Sequence, residues 1–288
     1  TATTEIYTLS LHDALPIFIL GHEFVGVVED VGKKIDRKWV RKQVAVEINS
    51  NIDHSCFYCS RGFHTQCVGR KALGIDIDGG FADYIAVEAY LLHEIPPAIS
   101  LHDATFIEPL AAAYQTFEKM PLGPDDKTMV IFGMGKLGLL ILQVARQKGL
   151  SIIAVDGSEA KLALAKKSGA YLTLNRNKTT GIAEIVRKET NGLGADIVID
   201  TSGSPDALKE VVASCRTLGK IHMKSTHGLA TPLNITDIVV REISIYSSRC
   251  GPFDKAIAGL LSGQIHVHEL ISKVDRKSTR LNSSHRIR

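Results

Sequence analysis

The sequence predicts an α/β protein in which a doubly wound parallel sheet follows a smaller lobe that carries a cysteine cluster. Three observations support this fold class. Short apolar runs, such as 128–132 and 197–200, alternate with segments that have a helical pattern. The first run leads into a glycine-rich loop, 133–138, and a compact cysteine cluster, 53–67, lies upstream of it. Because alternating strands and helices are typical of a parallel sheet covered on both faces, we expect the two parts of the chain to differ in architecture.

The elements of the predicted sheet follow one another in a regular order. Residues 128–132 form the first buried strand, 137–148 a largely apolar helix, and 152–155 the second strand. Ser158 is placed to cap the next helix, 159–168. The remaining elements are strands at 171–174, 197–200, about 220–224 and 243–246, and helices at 182–190 and 205–216. Strands and helices that alternate in this way predict a doubly wound sheet.

The glycine loop has the spacing of a dinucleotide-binding turn. Gly133 permits the tight turn, Gly135 lets the backbone approach a pyrophosphate, and Gly138 lets the helix pack closely on the strand. Lys136 and Leu137 complete the loop and begin the helix, whose free N–H groups and dipole favour anions. Since strand, loop, helix and second strand occur together, we expect residues 133–138 to bind the pyrophosphate of a nicotinamide dinucleotide.

Asp156, at the end of the second strand, indicates which dinucleotide is bound. A carboxylate in this place accepts hydrogen bonds from the adenosine ribose and repels a 2′-phosphate, so we expect NAD, with NADP less favoured. Lys161 is the nearest cation, five positions on, and no arginine follows Asp156 immediately. The carboxyl ends of the other strands would bring Thr201, Ser225 and Arg249 near the cofactor as well.

A cluster of one aspartate and three cysteines has the spacing of a structural zinc site: Asp53, Cys56, Cys59 and Cys67. Thiolates at this spacing can surround one tetrahedral ion, and Asp53 stands where a fourth ligand is needed. His54 and His64 are alternative fourth ligands, and a loop of unligated cysteines is a further interpretation. Five cysteines in 288 residues, three of them at metal spacing, favour a reducing, cytoplasmic setting.

Both ends of the chain resemble translated sequencing-adaptor sequence. Residues 1–17 and 275–285 resemble reading frames of two adaptors, and we treat 275–288 as one adaptor-like segment. We therefore expect residues 18–274 to be the genuine protein sequence, an interior fragment of a longer gene product. Without these segments the net charge falls from +3 to +1, because the first carries −2 and the second +4. This balance implies no nucleic-acid partner, and the lack of a long apolar run implies no membrane span.

Further motifs occur in the order seen in one family. They are Gly21-His22-Glu23, then the cysteine cluster, Gly79-Gly80-Phe81-Ala82, Glu108-Pro109-Leu110-Ala111 and the glycine loop. This order resembles the zinc-dependent medium-chain dehydrogenases, the alcohol, sorbitol and threonine dehydrogenase family, over essentially all of 18–274. The resemblance implies an incomplete GroES-like catalytic domain at 18–119, an NAD-binding Rossmann domain at 120–264 and the start of a return to the catalytic domain at 265–274.

Carried over to matching positions, the family's catalytic zinc would be bound by His22 and Glu108. Glu23 would lie beside it, as a ligand in one state or as a residue that steers water. The zinc would act as a Lewis acid on an alcohol while hydride passes to NAD. The family's upstream cysteine ligand and proton-relay hydroxyl have no counterpart here, since no cysteine precedes Cys56. We therefore expect weak zinc binding at His22 and negligible turnover by the chain as given.

The resemblance also implies a small-molecule alcohol or ketone as substrate, of the polyol, sugar-alcohol or amino-alcohol type, and a homodimer or homotetramer. Two alternatives stay open. One is a zinc-independent quinone or enoyl reductase of the same superfamily, against which the metal-type residues argue. The other is a non-catalytic NAD-binding relative. One departure from the family lies at Arg41-Lys42-Gln43-Val44, where a Gly-Asp turn is usual.

Overall fold

The structure is a computed structural model that describes residues 19–271 and residue 274. The two adaptor-like segments, 1–17 and 275–288, lie outside the described residues, and their interpretation stays a prediction. Within the described part of the chain, no helix is long and apolar enough to cross a membrane.

The lobe that precedes residue 101 contains short strands joined by long irregular segments. Its strands are β1 (Val25–Val27), β2 (Gln43–Val46), β3 (Asn49–Ser50), β4 (Lys71–Ala72) and β5 (Leu92–Glu94). β2 pairs antiparallel with both β1 and β5, and β3 pairs with β4. The apolar core of this lobe is small, and its buried members are Val44, Val46, Ile48, Ala72, Leu73 and Leu91.

The segment 100–119, which joins the first lobe to the parallel sheet and is called the helical bridge here, contains two helices, α1 (Leu101–Ala104) and α2 (Ile107–Lys119). The Ser100 hydroxyl accepts a hydrogen bond from the Asp103 N–H at 3.0 Å, which caps the start of α1. The buried side of α2 includes Ile107 and Leu110, which belong to the same apolar cluster as residues of the parallel sheet. The bridge is therefore packed directly on the second domain.

Six parallel strands form the large sheet. They are β6 (Thr128–Phe132), β7 (Ser151–Asp156), β8 (Leu172–Asn175), β9 (Ala195–Asp200), β10 (Cys215–Met223) and β11 (Ser244–Ser247). The order β11-β10-β9-β6-β7-β8 confirms the predicted doubly wound topology. The chain reverses its direction of winding between β6 and β9, and a crevice at the carboxyl ends of the strands is expected there.

Six helices accompany this sheet: α3 (Lys136–Gln147), α4 (Glu159–Lys167), α5 (Ile182–Glu189), α6 (Leu208–Ser214), α7 (Ile235–Val240) and α8 (Phe253–Leu261). The Ser158 hydroxyl accepts from the Lys161 N–H at 3.5 Å, so the predicted cap of α4 is present. The predicted helix 205–216 is wrong at both ends. A 3₁₀ turn covers Pro205–Ala207, and Cys215 already belongs to β10 because it pairs with Ala195 of β9.

Side chains along the central strands alternate between two apolar cores. Met129 and Ile131 face the core that includes α2 and α3, whereas Val130 and Ile153 face the core on the other side. All four are fully buried. Strands buried on both faces read as continuous apolar runs, which explains why β6 and β7 could be recognised in the sequence.

Candidate functional site

The glycine loop turns sharply between β6 and α3. Gly133 has a φ of 95°, in the region that favours glycine, and a Cβ built there would lie 2.7 Å from the backbone of Thr201 and Ser202. A Cβ at Gly138 would overlap the Gly133 carbonyl oxygen, whereas one at Gly135 would meet no atom within 4 Å. The loop is therefore tightly packed on one side and open on the other, where phosphates could approach the start of α3.

Asp156 lies beside this loop at the end of β7. Its carboxylate accepts hydrogen bonds from the backbone N–H groups of Met134 at 2.7 Å and Ser158 at 2.9 Å. Lys161 Nζ is 3.9 Å from the same carboxylate. Asp156, Lys161 and Gly133 line one cavity of about 460 Å³ at the carboxyl edge of the sheet. Asp156, which is predicted to bind the ribose, and Lys161, the nearest cation in the sequence, are thus neighbours in space.

Two other predicted cofactor residues hold the loops of the crevice. The Thr201 hydroxyl donates to the Gly133 carbonyl oxygen at 2.7 Å, which ties the loop after β9 to the glycine loop. The Ser225 hydroxyl accepts from the Gly203 N–H at 2.9 Å, which ties the loop after β10 to the loop after β9. Both contacts stabilise the shape of the crevice.

Arg249 lies elsewhere. Its guanidinium donates to the Thr65 carbonyl oxygen at 2.7 Å and lies 3.3 Å from the Gln66 side-chain oxygen. Arg249 does not line the cavity beside Asp156. The structure therefore places it between the loop after β11 and the cysteine lobe, which we define as residues 52–70.

A close approach of two backbone segments fixes the position of His22. The Gly80 N–H donates to the Gly21 carbonyl oxygen at 2.8 Å. A Cβ built at Gly79 would overlap that same oxygen, and Gly21 itself has a φ of 104°. The paired glycines of the 79–82 motif therefore allow a contact that no larger residue would permit, and this contact sets the direction of the turn into His22.

Glu23 and Lys136 connect the first lobe to the glycine loop. Lys136 Nζ donates a hydrogen bond to a carboxylate oxygen of Glu23. Burial lowers the pKa of His22 and Glu23 opposes this effect, with a net shift below the usual value. His22 is therefore mainly neutral at pH 7, which is the form of imidazole that binds metals.

Glu108 and Lys224 bring further charge to this part of the molecule. Burial raises the pKa of Glu108 to about 7, Glu23 adds to the effect, and the lysines Lys136 and Lys224 oppose it. Lys224 follows β10 and donates to a backbone carbonyl of α2 at 2.9 Å and to the Ser248 hydroxyl at 2.7 Å. Burial lowers its pKa to about 8. Charged groups from the lobe, the bridge and the sheet thus meet at one edge.

The cysteine lobe gathers four ligand-type side chains whose donor atoms all lie within 4.8 Å of one another: Asp53, Cys56, Cys59 and Cys67. The N–H groups of Cys56 and Ser55 donate to Asp53, each at 2.8 Å, and hold the pKa of its carboxyl well below the usual range. Backbone N–H groups of Cys59 and Val68 lower the pKa of the Cys56 thiol. Three sulfurs and one carboxylate at this separation suit a tetrahedral zinc ion.

The alternative histidine ligands lie outside this group. The rings of His54 and His64 pack against each other with centroids 5.7 Å apart, and His54 also packs against Tyr90 at 5.5 Å. Each histidine therefore has an aromatic neighbour, whereas the carboxylate of Asp53 lies among the sulfurs.

The predicted catalytic set is arranged differently: His22, Glu23 and Glu108. Among the described residues, the cysteine lobe holds the one group of three or more ligand-type residues at metal-binding separation. Glu23 is paired with Lys136, so its carboxylate is held toward the glycine loop. His22 and Glu108 could supply an imidazole and a carboxylate, and further donors would be needed for a tetrahedral site.

Two residues of this edge were missed in the sequence. Arg176 lines the same cavity as Asp156, because β7 and β8 are neighbours in the sheet and both end there. Lys224 directly follows β10, whose residues Ile221 and His222 are fully buried, and its place at the end of a predicted strand was the available signal. Spatial adjacency of strand ends, rather than sequence distance, brings both to the crevice.

Family models match two parts of the chain. The model for the alcohol dehydrogenase GroES-like domain matches residues 2–97, and the model for zinc-binding dehydrogenases matches residues 137–262. The match to the GroES-like domain includes residues 2–17, which are nearly all of the first segment that resembles adaptor sequence. The order of the two matches agrees with a catalytic lobe that precedes a nucleotide-binding domain.

Several proteins similar to this chain are named dehydrogenases. The D-arabitol-phosphate dehydrogenase of Enterococcus avium is 32% identical over 262 residues, which cover 88% of this chain and 74% of the relative. An Escherichia coli alcohol dehydrogenase, rspB, solved with NADH, is 28% identical with a TM-score of 0.84, covering 92% of this chain and 79% of its own. A zinc-binding dehydrogenase of Sinorhizobium meliloti, bound to NADP, is 26% identical with a TM-score of 0.82, covering 90% and 77%.

Proposed function

The chain belongs to the zinc-type medium-chain dehydrogenase family, and we propose that it transfers a hydride between a sugar alcohol or related polyol and NAD(H). The observation that carries this proposal is the contact between Glu23, next to His22, and Lys136 in the glycine loop. It joins the residues proposed for the alcohol to those proposed for the cofactor. Hydride transfer requires both reactants to be held in one orientation and away from water.

The cofactor side of the proposal rests on the loop and the strand that follows it. We assign the pyrophosphate to residues 133–138, whose open side faces the start of α3. We assign the adenosine ribose to Asp156, with Lys161 beside it. A carboxylate at this point favours NAD(H) over NADP(H), since it opposes a 2′-phosphate. Thr201 and Ser225 support the crevice through the loops that they join.

The metal side of the proposal has two parts. The cysteine lobe would hold a structural zinc, through the four side chains already gathered there. His22 and Glu108 would hold a catalytic zinc, and Glu23 would lie beside it. A zinc ion bound there supplies Lewis acidity toward the alcohol oxygen. Lys136 keeps the Glu23 carboxylate oriented, and the surroundings of Glu108 are apolar enough to raise the pKa of its carboxyl.

The substrate class is inferred from the family and from the chemistry of the edge. The Enterococcus avium relative is named for a phosphorylated sugar alcohol. Glu23 is paired with Lys136, and the charges of Glu23, Lys136 and Lys224 all affect Glu108, so this edge offers groups of both charges. Polyols present several hydroxyl groups, which can donate to the carboxylate and accept from the ammonium groups.

The proposal is tested by assaying NADH formation with zinc, NAD and a panel of polyols and simple alcohols. The native product, by which we mean the longer gene product expected to contain residues 18–274, and the chain as given should be assayed side by side. We expect His22→Ala to abolish turnover of the native product while the dissociation constant for NADH changes by less than about twofold, because the histidine acts on the alcohol side. His102→Ala, an exposed histidine of α1, is the matched control and should leave turnover unchanged. Unchanged turnover in His22→Ala would contradict the proposal.

A further inference from the structure

Sheet register places Arg176 at the corner of the cofactor cavity. Asp156 of β7 pairs with Asn175 of β8, and the Arg176 N–H donates to the Asp156 carbonyl oxygen at 3.1 Å. The Arg176 side chain turns back over the neighbouring glycine, since its Nε lies 3.3 Å from a Cβ built at Gly157. Its guanidinium therefore lies at the same corner as the carboxylate assigned to the ribose, and both residues line the cavity.

Arg176 has no charged partner of its own in the described part of the chain. It is exposed, and none of the ion pairs or side-chain hydrogen bonds among the described residues includes its guanidinium. The neighbouring cation Lys178 differs, because its ammonium is 2.7 Å from Glu159. An arginine at a cavity corner without a carboxylate partner retains its five donors for a ligand.

The Asp156 carboxylate, in contrast, is already partly neutralised. It accepts from two backbone N–H groups, at 2.7 and 2.9 Å, and Lys161 Nζ is 3.9 Å away. Its repulsion of a nearby phosphate is therefore weaker than that of an unpaired carboxylate. Two cations line the same cavity, Arg176, which follows β8, and Lys161 of α4.

We propose that Arg176 determines cofactor specificity, by binding the 2′-phosphate of NADP(H) and so allowing the site to accept NADP(H) as a second, weaker cofactor. This proposal rests on the assignment of the cavity to a nicotinamide dinucleotide. A guanidinium binds phosphate oxygens in a bidentate manner, and this geometry suits a phosphate on the ribose held at Asp156. Two acidic residues also line the cavity, Asp206 and Glu210, but they follow β9, two strands away from β7. They contribute to the lower affinity for the more highly charged cofactor.

The test uses nucleotide fragments that occupy the adenosine side alone. The dissociation constants of 2′,5′-ADP and 5′-AMP should be measured by calorimetry for the wild type and Arg176→Ala. We expect the variant to lose about 10-fold or more in affinity for 2′,5′-ADP, the loss of a charge-assisted phosphate contact, and less than about twofold for 5′-AMP. Lys178→Ala is the matched control and should change neither constant, because its ammonium is paired with Glu159. Arg176→Lys should recover part of the affinity for 2′,5′-ADP, since it keeps the charge without the bidentate geometry.

The outcomes separate the two proposals. If the wild type binds NADH but Arg176→Ala weakens 2′,5′-ADP and 5′-AMP equally, or weakens neither, the specificity role of Arg176 is wrong and the assignment of the cavity stands. If the wild type binds neither 5′-AMP nor NADH, the assignment of the cavity fails and the role of Arg176 fails with it. A selective loss for 2′,5′-ADP supports both.

Discussion

The parallel sheet and the cysteine lobe hold their functional side chains in different ways. In the sheet, strands buried on both faces fix the register, and residues such as Val130 and Ile153 have no exposed surface. In the described structure of residues 52–70 there are two 3₁₀ turns and neither a strand nor an α-helix. The buried residues of this lobe are two of the thiols, Cys59 and Cys67, while Phe57 and Val68 are 64% and 75% exposed.

This difference indicates where each region obtains its stability. Asp156 and Thr201 are held by strands whose apolar burial would persist without a ligand. The cysteine lobe has almost no apolar core, so a metal ion must supply what burial supplies in the sheet. We therefore expect the two regions to be sensitive to different changes. Loss of the metal ion should destabilise the lobe, and removal of a charged side chain should destabilise the sheet.

The largest effect is expected from the removal of one thiol. Cys59→Ser should reduce bound zinc in the dialysed protein from about one ion per chain to nearly none, because a closed site depends on all four ligands. Metal analysis combined with alkylation of the free thiols measures this change. In the zinc-loaded wild type the three cluster thiols should be protected, and in the variant the remaining two should react.

Cys215→Ala is the control for this experiment, since Cys215 is a buried residue of β10 in the large sheet and does not belong to the cluster. It should keep its zinc. The complementary change, Asp53→Cys, should slow the release of zinc to a chelator, because thiolate is a softer ligand than carboxylate. Wild-type protein that holds no zinc after dialysis and whose cluster thiols all react would contradict the assignment of this site.

A smaller effect is expected at the amino edge of the sheet. Asp196 accepts from the N–H groups of Lys127 and Thr128 at 2.9 and 2.8 Å, and Arg216 Nε is 2.6 Å from its other oxygen. Burial would raise the pKa of Asp196, but the Thr128 N–H and Arg216 outweigh it, and the pKa lies below its usual value. At pH 7 we expect Asp196→Asn to lower the free energy of unfolding by about 1–3 kcal/mol.

The pH dependence of this effect has a fixed sign. Because the pKa of Asp196 is lower in the folded state, its ionised carboxylate stabilises the protein at pH values above the unfolded-state pKa of 3.8. This stabilisation is lost as the pH falls through the folded-state pKa. The difference between the variant and the wild type in urea denaturation should therefore shrink as the pH is lowered from 7 toward 3. Asp30→Asn removes an exposed ion pair with Arg37 and should have no measurable effect. A difference that grows on acidification would show that Asp196 has another role.

The same contrast explains how much of the molecule could be predicted from its sequence. The bounds of β6 agree with the apolar run 128–132, since a buried parallel strand contains no polar interruption. β3, in contrast, consists of Asn49 and Ser50, and no sequence period marks two polar residues as a strand. Its pairing depends on long-range contacts within the lobe.

The candidate site residues show the same contrast between local sequence pattern and long-range pairing. The members of the cysteine set lie within 15 residues of one another, so spacing alone was informative. Arg176 is 20 residues beyond Asp156 and reaches it through the pairing of β7 with β8. No arginine follows Asp156 immediately in the sequence, but the fold brings Arg176 close to it. Adjacent strand ends have to be considered together before a cofactor preference is assigned.

The smallest expected effect concerns the turn before β2, where the sequence departs from its family. Arg41 has a φ of 72°, in the region that favours glycine. Two hydrogen bonds close the turn. The Arg41 N–H donates to the Val28 carbonyl oxygen at 2.8 Å, and the Val28 N–H donates to the Lys42 carbonyl oxygen at 3.0 Å. The pairing with β1 thus imposes a conformation that costs a non-glycine residue about 1–2 kcal/mol. Glycine avoids this cost but adds about 0.4–1 kcal/mol of entropy to the unfolded chain. We therefore expect Arg41→Gly to raise the free energy of unfolding by about 0.5–1 kcal/mol, measured by urea denaturation of the zinc-loaded protein. Arg41→Ala removes the same charge and keeps the Cβ, so it should give no stabilisation. Equal stabilisation by both variants would mean that the charge of Arg41, rather than its backbone conformation, limits the stability of this lobe.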